Sequence, residues 1–478
     1  MTPPLKLVPL LVALPLAFAG CTSTNPKGAF DDVSRTVTGR TGIEARWMRD
    51  DAAQNEMEKA VGTLLQTNLT ARSAVAIALL NNRSLQAEFE EIGVSQAELA
   101  QASRLRNPQF DGFWRFPDHG PKVVNAEYSL AQDFMDLLTL PARKKIAAAN
   151  LEVTKLRIAN QVLALAEEAQ TAFYTVQAGQ QLTNRLGIIV EVNEAAAEVA
   201  KRQHDAGNIN DLELQNQQAA YAQSRLDLAT AQAQLRADRE KLNRLLGLWG
   251  AQTAWQVESE LPSLPEQELP FENLETLAVS QRLDLAAARR EAATVQAALK
   301  LKKGVRWLPA VNVGVNAEHD LDHAWVIGPT LSFEVPVFDQ GQPALARLAA
   351  EYRRATRNFE AQAVNVRSEV REIRDALIAT RDAAEYYQKI LLPQRQRILH
   401  ETLLQYNAMQ FGNFVLLSAK EREALAERQS IEALRNYWIA RARLERAVGG
   451  SLNLPTNSVS PMASEKTMPT DSHDTHKH

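Results

Sequence analysis

The sequence predicts a mixed α/β fold, made mainly of long α-helices with four short β-strands, in which one plan occurs twice. Three observations predict it. The segments NNRSLQA (81–87) and QRLDLAA (281–287) are similar, and the later landmarks keep an offset of 200 to 205 residues. Long stretches carry apolar residues at three- and four-residue spacing, which is typical of packed helices. Four shorter stretches alternate apolar and polar residues, which is typical of strands.

The chain starts with an apolar run that ends at its only cysteine, Cys21. Residues 5–19 have the length of the hydrophobic region of a signal peptide, and they are too short to span a bilayer, which takes roughly 20 residues. The stretch FAGC (18–21) resembles a bacterial lipobox, in which the cysteine becomes the lipidated first residue of the mature protein. A free cysteine more commonly serves as a small buried hydrophobe, but its position here favours lipidation.

We therefore expect residues 1–20 to be a lipoprotein signal peptide and residues 21–69 a lipid-anchored N-terminal segment. No cofactor is expected besides the covalent lipid on Cys21. Thr22 follows the cysteine, where an aspartate often signals retention at the inner membrane. The sequence thus favours the outer membrane of a Gram-negative bacterium.

The composition argues against a nucleic-acid partner and against an enzyme. The formal net charge is −4, and no segment is strongly basic. The sequence contains no P-loop, GxSxG, GxGxxG or HExxH motif, because His400-Glu401 is followed by Leu404 where a second histidine would stand. We expect a passive conduit rather than a catalyst.

The two copies are predicted at residues 70–250 and 273–450, separated by a proline-containing linker at 251–272. Each copy starts with a helix that ends at a proline, Pro108 or Pro309. Two alternating segments, a long helix, a glycine-containing break and a second long helix follow.

The long helical hairpins are predicted at 141–247 and 341–448. No proline occurs between Pro141 and Pro262. A helix of about 65 residues would be nearly 100 Å long, which no compact domain holds. We expect a coiled-coil rod or the wall of a tube, with Pro141 at the first helical position and a kink or interruption at Pro393.

The alternating segments form two predicted β-hairpins, at 109–135 and 310–336. Each strand has roughly the 9–11 residues that cross a membrane, with one apolar and one polar face. Two soluble hairpins packed on helices are the alternative. Four strands cannot close a barrel, and open edges are not tolerated in lipid, so several protomers would have to share one barrel.

This combination resembles the TolC-like outer-membrane efflux family over about residues 70–450. The segment LSFEVPVFDQGQ (331–342) is similar to the strand-to-helix run of that family, whereas its first-half counterpart, YSLAQDFMDLLTLP (128–141), is a weaker match. The opening LTARSAVAIALLNNRSLQAEFEEIG (69–93) resembles the heavy-metal branch more than the multidrug branch.

The resemblance implies a homotrimer in which four strands per protomer form one 12-stranded β-barrel above a coiled-coil periplasmic tunnel. It implies a periplasmic adaptor (membrane fusion) protein and an inner-membrane pump of the RND type as partners, together with outer-membrane lipids. The two breaks would form the adaptor-docking periplasmic tip. The tip residues would be Gly207, Asn208, Asp211, Leu212, Gly412, Asn413, Leu416 and Leu417.

Charged residues near Gly207 are candidates for a channel constriction. Asp205 and Asp211 would each appear as a ring of three carboxylates in a trimer. Ordinary helix capping by Asn208, Asn210 or Asp211 is the alternative explanation of this polar stretch.

The C-terminal tail, 451–478, is polar and is predicted to be disordered. His473, His476 and His478 lie close together in it and could bind a metal ion weakly. We therefore expect an outer-membrane channel of a tripartite efflux system that exports copper or other heavy-metal ions. A multidrug channel of the same architecture and a non-channel coiled-coil structural lipoprotein remain as alternatives.

Overall fold

The computed structural model describes residues 24–116, 118–119, 123–266, 271–307 and 311–450. Two N-terminal helices come first, α1 (Lys27–Thr41) and α2 (Asp51–Leu64). The helices of the first repeat are α3 (Ala71–Asn81), α4 (Arg83–Ala102), α5 (Phe134–Asp205) and α6 (Asp211–Leu246). The helices of the second repeat are α7 (Leu274–Gln281), α8 (Leu283–Gly304), α9 (Gln342–Tyr386), α10 (Leu392–Asn407) and α11 (Asn413–Val448).

The two repeats begin in the same way, at residues exactly 200 positions apart in sequence. Asn82 and Arg282 each end a short helix by donating the backbone N–H to the carbonyl of Ala78 or Ala278, at 3.0 and 2.9 Å. Each side chain then reaches a carbonyl near the end of its own repeat. Asn82 Nδ2 bonds Leu245 O, and an Arg282 guanidinium nitrogen bonds Ala447 O. The duplication seen in the sequence is therefore also present in three dimensions.

The four alternating segments form a single antiparallel sheet in the order β1-β2-β3-β4. The strands are β1 (Gln109–Arg115), β2 (Asn125–Asp133), β3 (Val311–His319) and β4 (Trp325–Phe333). The two hairpins are joined through β2 and β3, where Ala126 pairs with His319 and Asp133 with Asn312. Among the described residues, β1 pairs only with β2 and β4 only with β3, so both strands have an unpaired edge.

Helix α5 starts seven residues before the predicted position. Asp133 caps it, because its carboxylate accepts hydrogen bonds from the backbone N–H groups of Met135 and Asp136 at 2.9 and 3.3 Å. The prediction that Pro141 occupies the first helical position is wrong, since Pro141 lies inside the helix. The helix has 72 residues, which corresponds to about 108 Å.

The second long helix is interrupted near Pro393, as predicted. A π-helical turn spans Tyr387–Leu391, after which Leu392 donates its N–H to the carbonyl of Tyr387, five residues before; Pro393, which has no N–H to donate, is the second residue of α10. One extra residue is accommodated in this turn, which is typical of a π-bulge.

The predicted linker is tied to the helices rather than free. Leu261 is buried, and the carbonyl of Glu260 accepts a hydrogen bond from Gln177 at 2.8 Å. Trp438 donates to the carbonyl of Pro262 at 2.9 Å. The core lies around these segments, in one apolar cluster built on α3, α4 and α5 and a second built on α7, α9 and α11. Within the described part of the chain, no helix is both long and apolar enough to cross a membrane.

Candidate functional site

One face of the sheet is apolar and exposed. The register places alternate residues of all four strands on it, so that Phe110 lies beside Leu130 and Leu130 beside Val315. The exposed large side chains of this face are Phe110, Trp114, Leu130, Val313, Val315, Trp325, Ile327, Leu331 and Phe333. In a water-soluble protein, other helices or strands would pack against an apolar sheet face of this kind.

The opposite face carries a connected polar network. Glu127 on β2 accepts a hydrogen bond from Arg115 on β1 at 2.7 Å and from Asn316 on β3 at 2.8 Å. Asn125 donates to Glu318 at 2.8 Å. These bonds run across three strands, and sequence reasoning did not find them, because the β2–β3 register joins residues about 190 positions apart.

Exposed aromatic residues stand at both ends of the sheet. Trp114, Phe116 and Trp325 lie at the end with the turns, and Phe333 and Phe338 lie at the end that continues into the helices. Phe338 is 97% exposed, the most exposed of the large hydrophobic side chains in the described ranges. Two aromatic belts flanking an apolar band are typical of a membrane-spanning sheet.

The far end of the first helical hairpin is a tight, hydrogen-bonded turn. The backbone N–H of Gly207 donates to His204 O and that of Asn208 to Gln203 O, both at 2.8 Å, with Gly207 in the left-handed conformation at φ 77°. This is a Schellman end. The side chain of Asn210 then caps α6 by accepting from the N–H of Glu213 at 2.9 Å. Capping therefore explains Asn210.

The two aspartates of this turn take different positions. Asp211 is exposed at the first position of α6, and its Oδ1 lies 2.8 Å from His204 Nε2. Asp205 ends α5 and lies 3.9 Å from His204 Nδ1. Leu212 is exposed beside them. The helix dipoles favour the Asp211 carboxylate at the N-terminus of α6 and disfavour the Asp205 carboxylate at the C-terminus of α5.

The second hairpin ends in the same turn, but the expected glycine is not in the left-handed position. Met409 holds it, at φ 57°, and donates its N–H to Tyr406 O. Gly412 is the N-cap of α11 with an ordinary φ of −79°. The equivalence of Gly207 with Gly412 is thus corrected to Gly207 with Met409, an offset of 202.

The two hairpin ends touch through Asn413, whose Nδ2 donates to Gln203 Oε1 at 3.3 Å. Below this contact, α10 and α11 enclose a groove of about 290 Å³. Ile398, Phe414 and Val415 form its apolar wall, and Arg395 and Arg422 line it as well. Leu416 and Leu417 are half-buried next to it.

Several titratable side chains are buried between the helices. Burial raises the pKa of the Glu445 carboxyl, although Arg441 opposes this shift. Burial, together with the nearby Glu445 charge, raises the pKa of Tyr174 to about 12. Lys155 is largely buried between Asp32 of α1 and Glu152, at 2.7 Å from each, and its pKa is raised because these hydrogen bonds and charges outweigh desolvation.

Several predicted site residues lie outside the described residues. These are Cys21 and the tail histidines His473, His476 and His478. Within the ranges that the structure does describe, no three His, Cys, Asp or Glu side chains are grouped so that they could hold a metal ion.

Comparisons with known proteins give one curated relative and several similar folds. No protein-family model matches the chain. The cobalt-zinc-cadmium resistance protein CzcC of Cupriavidus metallidurans is 21% identical over 389 residues, which cover 80% of this chain and 90% of CzcC.

Two solved structures share the fold along most of the chain. The transmembrane channel protein CusC superposes with a TM-score of 0.67 at 16% identity, covering 80% of this chain and 92% of CusC. The outer-membrane channel CmeC of Campylobacter jejuni superposes with a TM-score of 0.69 at 14% identity, covering 80% of this chain and 85% of CmeC. The resemblance predicted from the sequence is therefore confirmed, and the chain shares the fold of these channel proteins.

Proposed function

We propose that this protein is the outer-membrane channel of an efflux system, a passive trimeric conduit from the periplasm to the exterior. The observation that carries the proposal is the four-stranded sheet, which has an exposed apolar face, a hydrogen-bonded polar face and two free edges. An apolar face of this size is stable in lipid and costly in water.

The free edges supply the argument for several copies. Backbone N–H and C=O groups at the edges of β1 and β4 would have no partner in the hydrocarbon layer, which costs several kcal/mol per group. Pairing β4 of one protomer with β1 of the next satisfies them. Three copies give twelve antiparallel strands, with the apolar face toward lipid and the Glu127 network toward the lumen.

The helices continue the conduit below the membrane. Helix α5 follows β2 directly and is about 108 Å long, so it extends far beyond the bilayer into the periplasm. The ends at Gly207 and Met409 would then form the periplasmic tip. We place adaptor docking at this tip and the constriction at Asp205 and Asp211.

Lipidation of Cys21 fits the position of α1. Asp32 pairs with Lys155, whereas Arg40 and Thr41 line a small cavity with Leu163, so α1 runs parallel to α5 with its N-terminus toward the sheet. Lys155 lies about 32 Å from the start of α5, and Lys27 is about 7 Å nearer the sheet than Asp32. Five residues separate Cys21 from Lys27, and the six steps between them span at most ~20 Å, so the lipid would come close to the membrane.

For the substrate we propose heavy-metal ions, including copper. CzcC, the curated relative, is named for resistance to cobalt, zinc and cadmium, and its similarity covers 80% of this chain. The partners would be a periplasmic adaptor and an RND-type pump of the inner membrane. In such an assembly the pump selects the ion, and this chain supplies the passage.

Reconstitution tests the channel. The detergent-extracted protein should have the mass of three chains and should give stepwise single-channel conductance in planar bilayers. A water-soluble monomer without conductance would contradict the proposal and would favour a structural lipoprotein.

Deletion tests the substrate. A strain without this protein should become more sensitive to copper, zinc, cobalt or cadmium salts, with unchanged sensitivity to detergents and dyes. Increased sensitivity to drugs alone would assign a multidrug channel instead.

A further inference from the structure

The same helix face is buried on α8 of the second repeat and exposed to solvent on α4 of the first. Helices α4 and α8 are equivalent at an offset of 200, as Asn82 and Arg282 show. On α8, Ala287 and Thr294 are only 3% and 7% exposed, and Ala287 belongs to the apolar core together with residues of α5. On α4 the same positions are Ala87 and Val94, which are exposed.

On α8, this face also forms an ion pair with α5. Arg157 of α5 bonds Glu291 of α8 at 2.5 Å. The equivalent of Glu291 is Glu91 of α4, which is exposed and makes no hydrogen bond or ion pair with the described part of its own chain.

Helix α5 packs against this face of α8 in the second repeat. The helix equivalent to α5 is α9, so the repeat predicts that α9 packs against the same face of α4. The buried residues Ala169 and Val176 of α5 match Val370 and Leu377 of α9 at an offset of 201. This offset places the counterpart of Arg157 at position 358, beside Arg357 and one turn from Arg354. Both arginines are exposed, and Arg357 makes only a local pair with Glu360 at 2.7 Å.

The charges along the two helices are complementary. Residues 84–103 of α4 and its C-cap contain four glutamates and no lysine or arginine. Residues 342–357 of α9 contain four arginines and one glutamate. Opposite fields of this kind favour association and fix its register.

We propose that α4 is the docking surface for α9 of a second copy of this chain, through a face formed by Ala87, Glu91, Val94 and Glu98. Glu91 then faces Arg354 and Arg357 of that copy. The contact between copies repeats the α5–α8 contact within one chain. It rests on the proposed trimer, because α4 leads into β1 and α9 follows β4, so the closure that pairs these strands brings the two helices together.

Charge reversal tests the contact in the detergent-extracted full chain. Glu91→Arg and Arg357→Glu should each weaken association about tenfold per interface, because like charges then face each other. The double variant Glu91→Arg/Arg357→Glu should recover most of the trimer. Glu56→Arg, the same charge change on the exposed side of α2, should leave the trimer unchanged. Native mass spectrometry or light scattering measures each case.

Cross-linking keeps the proposal testable if a reversal variant fails to fold. In a Cys21→Ala background, Glu91→Cys with Arg357→Cys should give disulfide-linked dimers and trimers on oxidation, and Glu91→Cys with Glu56→Cys should not. If both charge-reversal variants remain trimeric and the Glu91→Cys/Arg357→Cys variant gives no intermolecular cross-link, the proposed contact is wrong, whereas the channel proposal still stands. A monomeric wild type would overturn both.

Discussion

Gly207 and Met409 occupy the same left-handed position at the ends of the two helical hairpins, 202 residues apart. Both donate their backbone N–H to the carbonyl three residues before, and the next residue closes the turn onto Gln203 or Gln405. The duplication therefore preserves the turn but not the residue that suits it best. Met409 also projects outward and is 94% exposed.

Substituting alanine for Gly207 and glycine for Met409 should change the stability of the two hairpin ends in opposite directions. A side chain in the left-handed region costs about 1–2 kcal/mol relative to glycine. We expect Gly207→Ala to destabilise its hairpin end by about 1 kcal/mol, because nothing lies within 4 Å of the added Cβ and only the backbone conformation matters. Met409→Gly should stabilise the other end by a similar amount. Amide hydrogen exchange at 200–215 and 402–416 measures both.

Gly187 provides the matched control. It also has open space where alanine would place its Cβ, but it lies inside α5 without a positive φ. Gly187→Ala should stabilise by roughly 0.5–1 kcal/mol through helix propensity. Equal effects of alanine at 187 and 207 would contradict the left-handed turn.

An arginine introduced on the apolar face of the sheet should reduce membrane insertion, whereas an arginine on the polar face should not. Leu331 lies on the apolar face of β4, and its neighbour Ser332 lies on the polar face opposite Asn312. We expect Leu331→Arg to cost about 2 kcal/mol in the bilayer and to reduce trimer in the membrane fraction. Ser332→Arg, one residue away, should be tolerated and should change ion selectivity instead. Similar loss of trimer in both variants would argue for a sheet buried in protein.

The sequence allowed the two repeats, the four strands and the long helices to be predicted, because each depends on local periodicity or on similarity at a fixed offset. It could not predict the β2–β3 pairing or the Glu127–Asn316 bond, since these depend on how the repeats meet. The start of α5 was misplaced because Pro141 is a familiar start signal, whereas the cap at Asp133 follows a strand without a break.

The second tip was misplaced for a related reason. Gly412 is the expected residue for a left-handed turn, and methionine at φ 57° is unusual. Helices α1 and α2 were not predicted at all. Their contacts with the repeats join residues far apart in sequence, as in the apolar core that includes Val37 and Val61 and in the Lys155–Asp32 pair, whose members lie 123 positions apart.

Replacing Glu445 should raise stability at neutral pH. Burial raises the pKa of this carboxyl above its ordinary 4.5, so the folded chain holds the proton more readily than the unfolded chain. The contribution to stability is full below the unfolded pKa and is lost as the pH rises through the folded pKa. Glu445→Gln should therefore increase the melting temperature at pH 7, and the gain should disappear near pH 4.

Glu432 is the control for this effect. It forms an exposed pair with Arg428 at 2.9 Å, one turn apart on the same helix. Glu432→Gln should change the melting temperature very little at either pH, because exposed pairs contribute less than about 1 kcal/mol. A Glu445→Gln variant that melts lower than wild type at pH 7 would show that its attraction to Arg441 outweighs desolvation.

Removing the lipid should leave the trimer in the outer membrane. Cys21→Ala, exported with a standard cleavable signal peptide, loses the acyl chains, each buried CH₂ of which contributes about 0.8 kcal/mol to anchoring. The four strands of every protomer remain as membrane anchors. Helix α1 also stays attached, through Lys155 to Asp32 at 2.7 Å and Arg40 to the carbonyl of Gly449 at 2.6 Å. Trimer in washed outer-membrane fractions is the measurement.

The unsubstituted chain behind the same signal peptide is the matched control, because it keeps the Cys21 thiol without the lipid. Both proteins should give membrane-embedded trimers that resist extraction with carbonate, since the apolar faces of the strands hold them in the bilayer independently of Cys21. If trimer disappears from the membrane in both, the lipid is required for assembly, and the sheet alone does not insert. Loss in Cys21→Ala only would instead assign a role to the thiol itself.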